Sequence, residues 1–206
     1  HTMMSNPSLF SEPTTPARLL ALVQPEHSTA ADAAADALQA AWVLALQQAG
    51  WQVGGVRQHV TTWPGGGKRM QLLDVRSPQF FEISQDLGPA TAGCRLDPAG
   101  VVDASSVLRQ AHADGVDVVV TNRFGRLEAE GSGFVAEIAA LAEAGIPVLT
   151  IVAPQYLSAW RALTGELGQD LPLPQSVQTL NAWLYRLQAA PKKQDPAQGP
   201  ARGAAA

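Results

Sequence analysis

The sequence predicts an α/β domain of three layers, a parallel sheet flanked by helices, with an antiparallel β-hairpin inserted into it. Two runs, Val116–Thr121 and Pro147–Val152, are almost wholly apolar, as parallel strands covered on both faces must be. Helix-length segments with recognisable start and stop residues alternate with such runs. A third stretch, residues 51–84, holds strand patterns too close together to be joined by helices, so it reads as an antiparallel meander.

Taken in order, Arg18–Val23 is a short apolar run stopped by Gln24-Pro25, a buried first strand. Ala30–Ala49 reads as a helix. Ala34, Leu38, Ala41, Trp42 and Ala45 share one face, expected on the core side, and Asp32, Asp36 and Gln39 share another. Thr29 and Asp32 have capping-box spacing, and Gly50 suits the residue after a helix end. Trp51–Val60 is a strand carrying a glycine pair, Pro64-Gly65-Gly66-Gly67 is a turn, and Lys68–Val75 and Phe80–Ser84 are further strands. Asp97-Pro98 combines an N-cap carboxylate with proline at the first helical position. The helix it starts runs to about Asp114, with Val101, Ser105, Leu108 and Ala111 on one face and Gly115 at its end. Phe134, Ile138 and Leu141 mark the next helix, which stops at Gly145. Leu157–Gly165 and Ser176–Gln188 are weaker helices.

The 206 residues are 46% hydrophobic and 16% charged, enough for one ordinary core. Residues 1–17 read as a disordered or tag-derived arm, 18–190 as a single α/β domain, and 191–206 as a disordered tail rich in Pro, Gly, Ala and Gln. The tail holds Lys192, Lys193 and Arg202 against Asp195, so the body is more acidic than the net charge of −4. That balance argues against a nucleic-acid surface. One cysteine excludes an internal disulfide framework. No apolar run reaches membrane-spanning length and no Lys/Arg-led signal peptide precedes the domain, so no membrane insertion and a cytoplasmic location are expected. The edges of an antiparallel insertion favour pairing, and a homodimer is expected.

Ligands of open parallel sheets bind beyond the carboxyl ends of the strands. The loop after the first strand stands where a phosphate-binding loop belongs. A working one reads G-x-x-x-x-G-K-[ST]. Here it is Gln24-Pro25-Glu26-His27-Ser28-Thr29, without glycine or lysine. Ser28, Thr29 and the helix N-terminus remain able to receive an anion, or to serve as a plain cap. A second loop carries Ser84-Gln85-Asp86-Leu87-Gly88 and Gly93-Cys94-Arg95-Leu96-Asp97-Pro98. Asp97 reads as a cap, Cys94 as a small buried residue or a supporting thiol, and Arg95 as a functional cation. The third loop, Thr121 to Gly133, follows the most apolar strand. Nucleotide hydrolases put acids there to hold Mg²⁺ and orient water. This strand ends instead in Asn122-Arg123, with Glu128 and Glu130 further on. These four residues read either as a site or as an internally paired loop. Four scattered histidines lack ligand spacing, so no metal site is expected.

These blocks resemble a bacterial family catalogued as a domain of unknown function, often labelled nucleoside-triphosphatase-like and commonly encoded beside molybdate-transport genes. The resemblance covers about Leu19 to Val152 and is carried by Ser84–Gly88, Gly93–Pro98 and Asn122-Arg123-Phe124-Gly125-x-x-Glu128-x-Glu130-Gly131. It implies a P-loop-NTPase-like fold. A more distant similarity is to small thermophilic-type nucleoside triphosphatases, whose matching segment is of the type Asp-Glu-Ile-Gly-Lys-Met-Glu. Against it, two acids have become Asn122 and Arg123, while Glu128 is kept.

A guanidinium at that position repels Mg²⁺ by about 4 kcal/mol per unit charge near about 4 Å, at an effective dielectric of about 20. It attracts a bare oxyanion, which it can bond bidentately. The expected function is therefore a non-hydrolytic oxyanion-binding protein of degenerate P-loop fold. Its expected ligand is molybdate or tungstate, and its expected partners are molybdate-transport or molybdenum-cofactor proteins. The expected anion-binding residues are Ser28, Thr29, Arg95, Asn122 and Arg123, supported by Ser84, Gln85, Asp86, Cys94, Glu128 and Glu130. Two alternatives stay open. One is a divergent nucleoside triphosphatase or phosphotransferase in which Arg95 or Arg123 replaces the lysine and Glu128 orients water. The other is an interaction module, for which Trp63, Trp160 and Trp183 would offer surface.

Overall fold

A computed structural model describes residues 16–85 and 95–189, with Arg95 and Ala189 described by their backbone alone. The expected arm and tail lie largely outside the described residues, as do Asp86 and Cys94. In chain order the elements are β1 (Leu19–Val23), α1 (Thr29–Gln48), β2 (Val53–Thr62), β3 (Lys68–Asp74), β4 (Phe80–Glu82), β5 (Ser84–Gln85), β6 (Arg95–Leu96), α2 (Pro98–Asp114), β7 (Val118–Val120), α3 (Arg126–Ala129), α4 (Val135–Glu143), β8 (Val148–Val152), α5 (Leu157–Thr164), β9 (Gly168–Pro172) and α6 (Val177–Ala189). Short 3-10 turns at Pro154–Tyr156 and Gly165–Leu167 flank α5.

Seven strands form one sheet in the order β4-β3-β2-β7-β8-β1-β9. β2, β7, β8, β1 and β9 run parallel, and β3 and β4 continue the sheet antiparallel beyond β2. The expected hairpin is thus the outer end of β2 with its partners. β2 outruns β7, which pairs with it only over Val53–Gly55, so the arm Val56–Thr62 with β3 projects past the ends of the central strands.

α1 and α6 cover one face of the sheet through Trp42, Val43, Leu46, Leu180 and Trp183. α2, α4 and α5 cover the other through Val101, Leu108, Ile138, Leu141 and Trp160. The valines of β7 and all of β8 are buried between the two layers, which is why these runs carry no polar face. The glycine pair of β2 has a packing reason. A Cβ on Gly54 would stand 2.6 Å from that of Ala111, so its absence lets α2 close onto the sheet. Gly55 sits at φ +106, a conformation disfavoured with any side chain, with its missing Cβ aimed at the Val120 carbonyl.

Three expectations need correction. The N-cap of α1 is Ser28, whose Oγ accepts from the Ala31 amide, and Thr29 is the first helical residue. The face of α1 is turned from the expected one: Ala34 and Ala41 are exposed, while Ala31, Ala35 and Gln39 are buried and Asp32 and Asp36 are largely enclosed. An alanine-rich helix gives little hydrophobic contrast, and its acids have inward partners. Trp160 and Trp183 are fully buried core residues rather than surface. Trp63 lies on the projecting arm, its ring 4.7 Å from the Arg69 guanidinium.

Candidate functional site

α1 leaves β1 on one face of the sheet, whereas α4 and α5, which follow β7 and β8, pack on the other. The connections therefore change sides between β1 and β8, and the crevice beyond their carboxyl ends is where an open sheet admits ligands. Three chain segments meet there: Gln24–Ser28, Thr121–Gly125 and Ala153.

The first segment is held from within. The buried Gln24 donates its backbone amide to Val152 O at 2.9 Å and its side-chain Nε2 to Asp32 Oδ1 at 2.7 Å. Ser28 Oγ caps α1 and donates to Glu26 Oε1 at 3.2 Å, so a carboxylate already faces the positive end of this helix. Thr29 is exposed.

The segment Thr121–Gly125 is tied to α1. Arg123 Nη1 donates to Asp36 Oδ1 at 2.7 Å, and Nη2 lies 3.6 Å from Asp32 Oδ1. The three side chains are only 16–20% exposed. Gln39 Nε2 donates to Thr121 O at 2.9 Å, and buried Asn122 Nδ2 donates to Gln58 Oε1 at 2.8 Å. Asp32, Asp36 and Gln39 occupy one stripe of α1, and that stripe meets the end of β7. Two carboxylates thus share one guanidinium, and Lys68 also acts on Asp36. Burial holds the Asp36 carboxyl above the usual carboxylate range; Arg123 and, further off, Lys68 oppose that shift, while Asp32 adds to it.

Glu128 serves the loop itself. Its Oε2 accepts from the Gly125 amide at 3.0 Å and its Oε1 from the Phe134 amide at 3.1 Å, so one buried carboxylate caps the starts of both α3 and α4. Burial raises its pKa, and those two amides, with its own, pull the other way. Gly133, at φ +59, is required because a Cβ there would overlap this carboxylate. Glu130 is exposed at the end of α3.

The second loop stands apart. Ser84 Oγ accepts from the Met70 amide at 2.8 Å, tying β5 to β3, and Gln85 pairs with Arg95 across the β5–β6 ladder. Asp97 caps α2 through Ala99 N, as expected. Among the described side chains no hydrogen bond or ion pair links this ladder to Asn122 or Arg123. The structure brings Asn122 and Arg123 together near the start of α1, while Ser84 bonds to β3 and Gln85 pairs with β6. Sequence reasoning missed Asp32, Asp36, Gln39 and Gln58 as the partners of the β7 end. The i, i+4, i+7 spacing of Asp32, Asp36 and Gln39 on the helix after β1 was the available signal.

Among the described residues no group of three or more His, Cys, Asp or Glu could hold a metal ion, and no helix is long and apolar enough to cross a membrane. In comparison with known proteins, the chain is 37% identical over 149 residues to the molybdenum import ATP-binding protein ModC 2 of Bradyrhizobium diazoefficiens. That stretch is 72% of this chain and 16% of the relative, so the chain spans about a sixth of that protein's length. No solved structure matches the chain. Residues 21–183 match the family described as "Protein of unknown function (DUF2478)". With its largely parallel seven-stranded sheet between helices the chain has a P-loop-NTPase-like architecture, and it belongs to this DUF2478 family.

Proposed function

We propose that this chain is a non-hydrolytic oxyanion-binding protein of molybdenum or tungsten handling, built on a P-loop-type fold whose Mg-nucleotide machinery has been replaced. The observation that carries the reading is the end of β7. Acids that would hold a phosphate-bound metal are absent there, and the guanidinium in their place is held by Asp32 and Asp36 of α1. The preceding loop has no lysine, and both Glu128 oxygens are engaged by backbone amides, so the buried carboxylate of the Thr121–Gly133 loop is not free to orient water on a phosphate. The 37% identity to a protein named for molybdenum import supports molybdate or tungstate as the ligand.

The geometry sharpens how an oxyanion would enter. Arg123 is pre-positioned, and its contact to Asp32, at 3.6 Å, is the looser of the two. A tetrahedral dianion would take over that side of the guanidinium while Asp32 stays with Gln24. The two carboxylates oppose a dianion, so proton uptake on binding is expected, with the raised Asp36 carboxyl as its acceptor. Titration calorimetry with molybdate, tungstate, sulfate and phosphate, alongside ATP and GTP turnover with Mg²⁺, tests the reading. Heat for molybdate or tungstate without turnover is expected. Silence toward all four anions at millimolar concentration, or steady turnover, ends it.

One observation favours a second reading, an interaction module: the charges of the crevice are consumed internally, and the related stretch is a small part of a much longer protein. Silence in both assays selects this reading.

A further inference from the structure

A second concavity lies away from the crevice, between α1 and the β2–β3 arm, with a volume of about 490 Å³. Small-molecule sites run from about 300 to 1,000 Å³, are mostly apolar and carry few polar groups. This one has that size and sets apolar residues beside Gln47, Arg57, Asp74, Ser77 and Gln79. Ala40, Ala41 and Leu44 of α1 form one wall, and Leu73 and the following Val75 the other, with Arg57 of β2 between them. Pairing across the sheet sets Arg57, Leu73 and Phe80 side by side on three adjacent strands, so their side chains share the α1 face. Leu44 and Phe80 are 55% and 52% exposed, an apolar rim without cover among the described residues.

Arg57 is the informative residue. It is partly buried, and among the described residues its guanidinium has no hydrogen bond or ion pair, whereas Arg69, Arg76, Arg109, Arg123 and Arg161 are all paired. Several nearby polar groups are committed, and the Asp74 carboxylate lines the same groove. Asp74 accepts from the Arg76 amide and the Ser77 hydroxyl, and Gln47 Nε2 donates to Val75 O at 2.8 Å. A half-enclosed cation with free donors and apolar walls selects an anion with an apolar body, since the walls give nothing to a small hydrated ion. We propose that this groove binds an amphipathic organic monocarboxylate, its carboxylate on Arg57 and its apolar part between Leu44, Leu73 and Val75. The site is independent of the crevice at Arg123.

The test uses the whole chain labelled for amide NMR and the probe 4-phenylbutyrate, with its uncharged amide as control. Saturable shifts confined to residues 40–47, 57 and 73–80 are expected. Affinity should fall about tenfold or more for the uncharged amide, and for 4-phenylbutyrate with Arg57→Gln, as loss of a charge-assisted pair requires. Arg57 has no partner among the described residues, so this variant should keep the wild-type melting temperature, and Arg123→Ala should bind the probe as wild type does. Absence of saturable shifts at millimolar probe overturns the proposal. So does equal affinity for acid and amide, or for wild type and Arg57→Gln, and so do shifts that vanish in Arg123→Ala.

Discussion

Replacing Arg123 by alanine leaves Asp32 and Asp36 facing each other, each about one-fifth exposed, with the guanidinium that bonds them gone. Removing one partner of a fully buried pair costs about 3–5 kcal/mol, and of an exposed pair about 0–1. The enclosure of this cluster places the loss between them, at about 2–3 kcal/mol near neutral pH. The pH dependence gives the effect a signature. Burial already raises the folded-state pKa of Asp36 above its unfolded value, so the folded protein binds the proton more tightly. The resulting penalty is absent below the unfolded pKa, grows as pH rises through the raised folded pKa, and is full above it. Without Arg123 the larger opposing attraction is lost, only that of Lys68 remains, and that window moves upward. Urea unfolding of wild type and Arg123→Ala at mildly acidic and neutral pH reads this directly. The deficit should be largest at neutral pH and shrink on acidification, and adding Asp36→Asn to the variant should recover about 1 kcal/mol or more. A deficit below about 0.5 kcal/mol, in the range of an ordinary surface change, or one that does not move with pH, refutes the view that this cluster is an enclosed charge triad.

Other outcomes follow from the same geometry. Gly133→Ala should destabilise by about 2 kcal/mol or more in thermal melts, because its φ of +59 and the Glu128 carboxylate both oppose a Cβ. Trp160→Ala should cost about 3–5 kcal/mol in urea unfolding, since its ring is fully buried and meets Phe124 edge-on at 5.5 Å. Sulfate, which stays a dianion across mildly acidic pH, should bind more tightly as pH falls and Asp36 takes up its proton; calorimetry in two buffers of different ionisation heat would report that uptake.

The architecture was largely legible because its central strands are short, continuous apolar runs and its helix ends carry Asp97, Gly115 and Gly145 where caps belong. β9 was not. Gly168–Pro172 pairs only with β1 at the sheet edge and is half-buried, so it shows neither an apolar run nor alternation. α3 is a single turn inside a loop, held by Glu128 rather than by propensity. At the site, the replacement of acids by Asn122 and Arg123 could be read from the sequence. What Arg123 faces could not, because Asp36 lies 87 residues away and only the packing of α1 over β7 brings them together. An alanine-rich helix hides which stripe points inward, and here the inward stripe held the charges. The expectation of a cation open to an oxyanion thus became one of a cation already held, which an oxyanion must share.

Equilibrium dialysis of the whole chain against molybdate, with bound molybdenum counted by elemental mass spectrometry, tests the central claim most directly. Stoichiometric molybdenum on the wild type, lost in Arg123→Ala and unchanged in Arg57→Gln, is the predicted result. Wild type without bound molybdenum, or Arg123→Ala retaining it in full, would contradict the account.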